Sequence, residues 1–296
     1  MAKALVLAET ADAQRVLAAG ARTIADEVVL VTVGTAETGV ADKAYQVEVP
    51  ADAPFDNAYD AIQGVFDTVA PDVVLAEPTA HVKTIAGKLA AKADAAIIPN
   101  ITALDGDVAT NMYFGGLAAK KQTATSGVKF YTTNGALFGD VTPTGTDDVE
   151  TVAYVAPAKG LTLKSTKDVP VEGADLTKSD VIVSVGRGFS EEDQLQLAKD
   201  FAAKVGADLG CSRPVAENLG WMPRNLYVGV SGVQCAPKAY IAVGISGQMQ
   251  HMVGCQDSGT IFAINKDANA PIFKQADYGL VADLTKVLPA LTEKLG

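Results

Sequence analysis

Short apolar, β-branched runs recur along the chain, separated by stretches whose apolar residues return at helical spacing. Residues 4–8 and 28–33 have strand length; between them, 11–25 carries Val16, Leu17, Ala21 and Ile24 on one stripe near the helical period. Residues 73–76 predict another strand, and 83–93 a helix with Ile85, Leu89 and Ala90 on one face. Strand–helix alternation implies a mostly parallel sheet covered on both faces, joined by right-handed crossovers. From 105 to 165 the helical pattern fades, and 130–133, 149–155 and 161–163 read as antiparallel strands. Residues 165–178 are polar, with one Pro and one Gly, and form the expected linker. Alternation then resumes. A buried strand from Asp180 runs into Gly188. A helix over 190–205 is expected to be capped by Ser190, with Glu191, Glu192 and Asp193 in its first turn. A short strand at 207–210, buried strands at 240–244 and 260–264 and a closing helix at 281–295 complete the pattern. The fold class is α/β. Two domains, 1–170 and 177–296, are each a mostly parallel sheet flanked by helices, the second doubly wound.

Length supports two domains, because 296 residues lie near the limit of one hydrophobic core. Lys plus Arg number 24 against 35 Asp plus Glu, a formal charge of −11. That argues against nucleic acid, whose binding needs a basic footprint, and against anionic lipid. No run approaches the ~20 apolar residues that span a bilayer, so no membrane insertion is expected. The N-terminal run ends in Glu9 without a cleavage signal and reads as a strand. Cys211, Cys235 and Cys255 are odd in number, widely spaced and match no zinc pattern. A cytoplasmic chain with idle, reduced thiols and no metal site is expected.

The first half offers little chemistry: His81 reads as a surface loop histidine, and 113–116 as a Gly-rich turn. The second half is richer. Val185-Gly-Arg187-Gly188 follows a strand and precedes a helix, where backbone N–H groups can face an anion, although such turns are common in α/β proteins. Gly244-Ile-Ser246-Gly247-Gln248-Met249-Gln250-His251 again follows a strand. Its glycines allow close approach, and Ser246 is expected to cap a helix from Gly247. Arg213 precedes Pro214 in an extended backbone. Val228-Gly229-Val230-Ser231-Gly232 offers a Gly-flanked hydroxyl, and Asn265-Lys266-Asp267 closes a strand. Strand ends bearing such loops should converge on one crevice, suited to a nucleotide-type cofactor.

Six motifs occur in order: Gly210-Cys-Ser-Arg-Pro214, Gly229-Val-Ser-Gly232, 244–251, Ala263-Ile-Asn-Lys-Asp267, Ala270-Pro-Ile-Phe273 and 276–284. Over about 180–296 they resemble the C-terminal domain of the alpha subunit of electron-transfer flavoproteins. Residues 98–102 and 113–116 resemble that family's N-terminal domain more loosely. The resemblance implies FAD in the C-terminal domain. It also implies a heterodimer with a beta subunit that carries AMP, or a second FAD in electron-bifurcating members. Its redox partners would be of the acyl-CoA dehydrogenase, quinone reductase or enoyl-CoA reductase type. The chain would be an electron carrier with no catalytic residue of its own, unless it is bifurcating.

By the same resemblance, Arg213 matches the guanidinium over the isoalloxazine ring. Ser231 matches the hydroxyl at flavin N5, with Val228, Gly229 and Val230 leading into it. His251 matches the imidazole near carbonyl O2. Ser246, Gly247, Gln248, Met249 and Gln250 match the segment along the ribityl chain and pyrophosphate. Arg187, Ser212, Asn265, Asp283 and Leu284 match the remaining FAD contacts, the last three at the ribose and adenine end. Many members read Gly-Gln-Thr/Ser-Gly-Lys where this chain has Gly229-Val-Ser-Gly-Val233. Losing an amide and a cation beside the ring should lower its reduction potential. The form resembles members tied to anaerobic carnitine or other CoA-ester reduction. Two other readings stand beside the carrier. One is a bifurcating subunit working with NADH, ferredoxin and a CoA ester. The other is a flavin-free nucleotide-binding module in which Arg213, Ser231 and His251 are structural.

Overall fold

The computed structural model describes residues 1–114, 116–167 and 173–295. The chain divides into two units, 1–113 with 118–167, and 114–117 with 168–296. In the first unit the elements run β1 (Lys3–Leu7), α1 (Ala11–Ala21), β2 (Glu27–Val33), β3 (Lys43–Val47), α2 (Tyr59–Val69), β4 (Val73–Ala76) and α3 (Ala80–Lys92). There follow β5 (Ile97–Ile98), β6 (Ile101–Asp105), β7 (Val108–Tyr113), β8 (Ala118–Thr123), β9 (Lys129–Thr132) and β10 (Val149–Val152). The main sheet has the order β10-β3-β2-β1-β4-β9-β5, with every pairing parallel.

The period of two along β1 explains its apolar run. Ala4, Val6 and Ala8 join Leu17 of α1 on one face, while Leu5 and Leu7 join Ile62 of α2 and Leu89 of α3 on the other. A strand covered on both faces has no polar side to alternate with. Thr10 caps α1 by accepting from the Ala13 N–H, and Thr79 caps α3 by accepting from the Val82 N–H.

Several expectations are corrected. β9 and β10 lie parallel to their neighbours, not antiparallel. Residues 161–163 form no strand; the buried Asn57 amide takes both backbone groups of Leu161 instead. The antiparallel part is a separate sheet, β6-β7-β8. The α1 helix ends at Ala21, short of residue 25.

The second unit contains β11 (Val181–Val185), α4 (Leu195–Val205), β12 (Asp208–Ser212), β13 (Tyr227–Val228), β14 (Ala239–Val243) and the single-turn α5 (Met249–Met252). It ends with β15 (Ile261–Asn265), β16 (Tyr278–Val281) and α6 (Leu284–Lys294). Its sheet order is β13-β12-β11-β14-β15-β16, again all parallel. The chain builds outward from β11 to one side, then crosses back to β14. This reversal leaves a crevice at the carboxyl ends of β11 and β14. The α4 helix packs on β11 and β12 and against α6.

Here too the boundaries move. Ser190 caps nothing: a short turn at 192–194 precedes α4, and the Ser190 N–H donates to Gln194 Oε1. Ser246 caps nothing either, because α5 starts at Met249. The expected closing helix divides into β16 and α6, with Asp283 capping the latter by accepting from the Thr285 N–H. The strand expected at 207–210 runs two residues further, to Ser212, which puts Arg213 at its end. Of the expected linker, 168–172 lie outside the described residues. No helix among the described residues is long and apolar enough to cross a membrane.

One buried carboxylate ties β4 to the β1–α1 turn. Glu77 accepts from the Glu9 N–H at 2.6 Å, the Thr10 N–H at 3.0 Å and the Thr10 hydroxyl at 2.8 Å. Removing it leaves three donors without their acceptor in a partly buried turn. Glu77→Ala is therefore expected to lower unfolding free energy by about 2–3 kcal/mol, read by urea denaturation. A loss below about 0.5 kcal/mol, the scale of ordinary surface substitutions, would contradict this role.

Candidate functional site

The crevice of the second unit is built from five strand ends. After β11, Gly186-Arg187-Gly188 turns directly against Gly244 at the end of β14. The Gly186 N–H donates to the Val243 carbonyl and the Gly188 N–H to the Gly244 carbonyl, each at 2.9 Å. A Cβ on Gly188 would sit 2.5 Å from Gly244 Cα, so no larger residue fits without separating the turns. Gly244 itself has φ +66°.

After β12 comes Arg213, which is not in the extended backbone expected before a proline: it is helical, with φ −46° and ψ −45°, and opens a wide turn over Pro214–Asn218. Arg213 Nε donates to Glu217 Oε2 at 2.5 Å, and Arg224 pairs with the other carboxylate oxygen. These two guanidiniums, Arg224 foremost, hold the Glu217 carboxyl below its usual range. Arg213 remains mostly exposed. After β13, Gly229 allows the loop to lie on α5: the Val230 N–H donates to the Gln250 carbonyl at 2.7 Å. The Tyr227 hydroxyl reaches the Ser231 carbonyl and lies 3.2 Å from its hydroxyl. After β14, the Ser246 carbonyl accepts from the Ile272 N–H, and the Asn265 amide from β15 donates to the Ile245 carbonyl at 2.8 Å.

These ends enclose a cavity of about 510 Å³, within the usual range for small-molecule sites. Of the residues singled out in the sequence, Arg187, Ser212, Arg213, Val228, Gly229, Val230 and Ser231 line it. So do Ser246, Gln248, Gln250, His251 and Asn265. Asp283 and Leu284 instead line an adjoining recess of about 220 Å³, which shares Gly188, Gly244 and Asn265 with the larger one. Gly247 and Met249 line neither. Gly247 instead packs backbone to backbone on Ile272. Tyr227 lines the cavity without having been singled out, and Ile245, Asp267, Ala270 and Pro271 line it from within the quoted motifs, where they were given no role. Asp267 carried one signal, its place just past the end of β15.

Charge and burial divide the cavity. Arg187 and Arg213 are exposed, so the cations belong to the mouth. His251 is buried, and its Nε2 is 2.9 Å from the Tyr240 hydroxyl. Burial pushes the imidazole down to about 4, against a smaller opposing hydrogen bond with the Val228 backbone. The three thiols are buried: Cys211 is pushed up to about 12, Cys235 to about 11 and Cys255 to about 12. They are inert at neutral pH. Among the described residues no group of three or more His, Cys, Asp or Glu is placed to hold a metal ion. In the first unit, His81 stands on α3 and its Nδ1 lies 2.8 Å from Asp56.

Residues 5–157 match the family described as the electron transfer flavoprotein domain, and 175–256 the electron transfer flavoprotein FAD-binding domain. Protein FixB of Escherichia coli O17:K52:H18 (strain UMN026) is 41% identical over 253 residues, covering 82% of this chain and 81% of that one. Protein FixB of Escherichia coli O1:K1 is 42% identical over 232 residues, covering 76% and 74%. The chain belongs to the electron transfer flavoprotein family, as an alpha subunit. Among solved structures, a putative UDP-N-acetylglucosamine 2-epimerase from Listeria monocytogenes aligns over 99% of the alpha subunit and 87% of its own chain. Its identity is 9% and its TM-score 0.38, too low to carry an argument.

The buried His251 makes the stability of this alpha subunit depend on pH. Its folded pKa, about 4, lies below the ordinary value of 6.5, so the unfolded chain binds the proton first. The contribution is complete above pH 6.5 and is lost as pH falls towards 4. It amounts to at most about 3 kcal/mol. Denaturation midpoints should therefore fall more steeply between pH 7 and 4 for the wild type than for His251→Gln. Parallel curves would contradict this.

Proposed function

We propose that this alpha subunit binds FAD in the cavity of its second unit and carries electrons between a redox donor and an acyl-CoA dehydrogenase or enoyl-CoA reductase type of partner. It acts as one half of a heterodimer, in the cytoplasm. Residues 1–170 pack on the beta subunit, which holds AMP or a second FAD, and residues 177–296 carry the flavin. The observation that supports this reading best is the convergence of five strand-end loops on one cavity of about 510 Å³, whose lining carries a buried imidazole and two exposed arginines. The anionic part of a dinucleotide suits the arginines at the mouth.

Bound FAD supplies the electron-accepting ring, and the chain's residues hold and tune it. Gly188 and Gly244 keep the two central strand ends close enough for backbone approach to the ligand. Arg213, on the wide turn after β12, favours negative charge on the ring by charge and stacking. Ser231 offers a hydroxyl on a loop pinned to α5. Val230 and Val233 bring no amide and no cation, so the ring is held at a lower potential than in members with both. A low potential suits delivery of electrons to a CoA-ester reductase.

The complex with the beta subunit, purified and titrated anaerobically, tests this. The expected result is one FAD bound by this chain, reduced in the range below respiratory members. Arg213→Ala should lower the one-electron midpoint by about 60 mV, a tenfold loss of preference for the reduced ring. A folded complex without flavin would overturn the reading. Two FADs with separate reduction steps would replace the simple carrier by a bifurcating one.

A further inference from the structure

One carboxylate outside the cavity holds two cations beside it. Glu217 stands four residues after Arg213, and the wide turn over Pro214–Asn218 brings the two side chains together. Arg213 Nε donates to Glu217 Oε2 at 2.5 Å, and Arg224 donates to Oε1. Arg213 lines the cavity, whereas Glu217 and Arg224 do not. The Glu217 side chain is 18% exposed, while both guanidiniums lie mostly in solvent. The carboxylate is thus the fixed member of the trio. The two guanidiniums, Arg224 foremost, hold its carboxyl below the usual range, so it is ionised at neutral pH. An isolated exposed ion pair restrains a side chain little, but a carboxylate shared by two guanidiniums forms a network. Neither Glu217 nor Arg224 was singled out in the sequence.

We propose that Glu217 is a positioning residue: it grips Arg213 by Nε from outside the cavity and keeps the guanidinium at the mouth, while Arg224 balances the carboxylate so that the trio retains a net positive charge. Attachment at Nε matters because a guanidinium carries its other N–H donors on the two terminal amino groups. Among the described residues the Arg213 side chain makes no hydrogen bond besides the one from Nε, so those amino groups are left for a ligand's acceptors. Without Arg224, Glu217 would neutralise the cation that it holds. Without Glu217, the long Arg213 side chain would regain its rotamers, and the two like charges would repel each other.

The effect on a flavin rests on the function proposed above, whereas the grip on Arg213 does not, and one set of samples separates them. The arginines of this chain are Arg15, Arg22, Arg187, Arg213 and Arg224, so ¹⁵N-arginine labelling of it within the complex with the beta subunit gives a small set of Nε–Hε signals. That of Arg213 is assigned by its loss in Arg213→Ala. In the wild type it should exchange slowly with water, with or without flavin. Glu217→Met keeps the side chain's length and removes both acceptors, and the Arg213 signal should then exchange as in a free side chain. In the same complex the preference for the reduced ring should fall about threefold, against about tenfold for Arg213→Ala. It should not fall when Glu217→Met is added to Arg213→Ala. Arg224→Gln should leave the Arg213 signal slow and still lower that preference; an unchanged preference overturns the part given to Arg224. A carboxylate acting by its charge alone would give the opposite sign in Glu217→Met, a rise, and that result overturns the proposal. So does an equal fall with and without Arg213, or a wild-type Arg213 signal that exchanges freely. Slow exchange in a folded complex without flavin leaves Glu217 in its role toward Arg213 and overturns the flavin reading alone.

Discussion

The contact of Gly188 with Gly244, backbone against backbone, is the constraint on which the second unit's cavity depends. It joins the ends of the two strands between which the chain reverses direction. The Gly188 N–H donates to the Gly244 carbonyl, and a Cβ at position 188 has no room beside Gly244 Cα. With β11 and β14 held this closely, loops from β12, β13 and β15 reach the same space. Arg213, Ser231 and Asn265 face one volume because their strands are neighbours in one parallel sheet.

The cavity separates two kinds of recognition. Its cations sit at the mouth in contact with water, where Arg213 is already engaged by Glu217. Its inner wall holds a neutral imidazole backed by a tyrosine inside the core. Burying a charge there would be expensive, while burying a paired, oriented dipole is cheap. The site thereby carries its charge at the mouth and an uncharged, buried inner wall.

Much of this architecture was legible in the sequence. The apolar runs at β1, β2, β4 and β11 are buried on both faces and so leave an unbroken apolar signal. Strand direction was not legible: β9 and β10 have patterns that fit either partner orientation, and only the crossover makes them parallel. β8, Ala-Ala-Lys-Lys-Gln-Thr, has nearly every side chain exposed and no alternation to detect. Val281 was read into the closing helix because its exposed β16 lacks a buried face. The expected caps at Ser190 and Ser246 failed because a short turn before α4, and Gln248 before α5, precede those helices instead. Twelve of the sixteen residues carried over from the family resemblance line the larger cavity; the exceptions are Gly247, Met249, Asp283 and Leu284. Tyr240 escaped notice because a tyrosine inside an apolar strand reads as core, and its partner lies eleven residues away on another element.

The most direct test of this account is the structure of the oxidised, flavin-loaded complex with the beta subunit. The account predicts the flavin in the cavity at the ends of β11 and β14, in contact with Arg213 and with the loop that carries Ser231. A flavin seated elsewhere, or one that touches neither Arg213 nor the Ser231 loop, would contradict it.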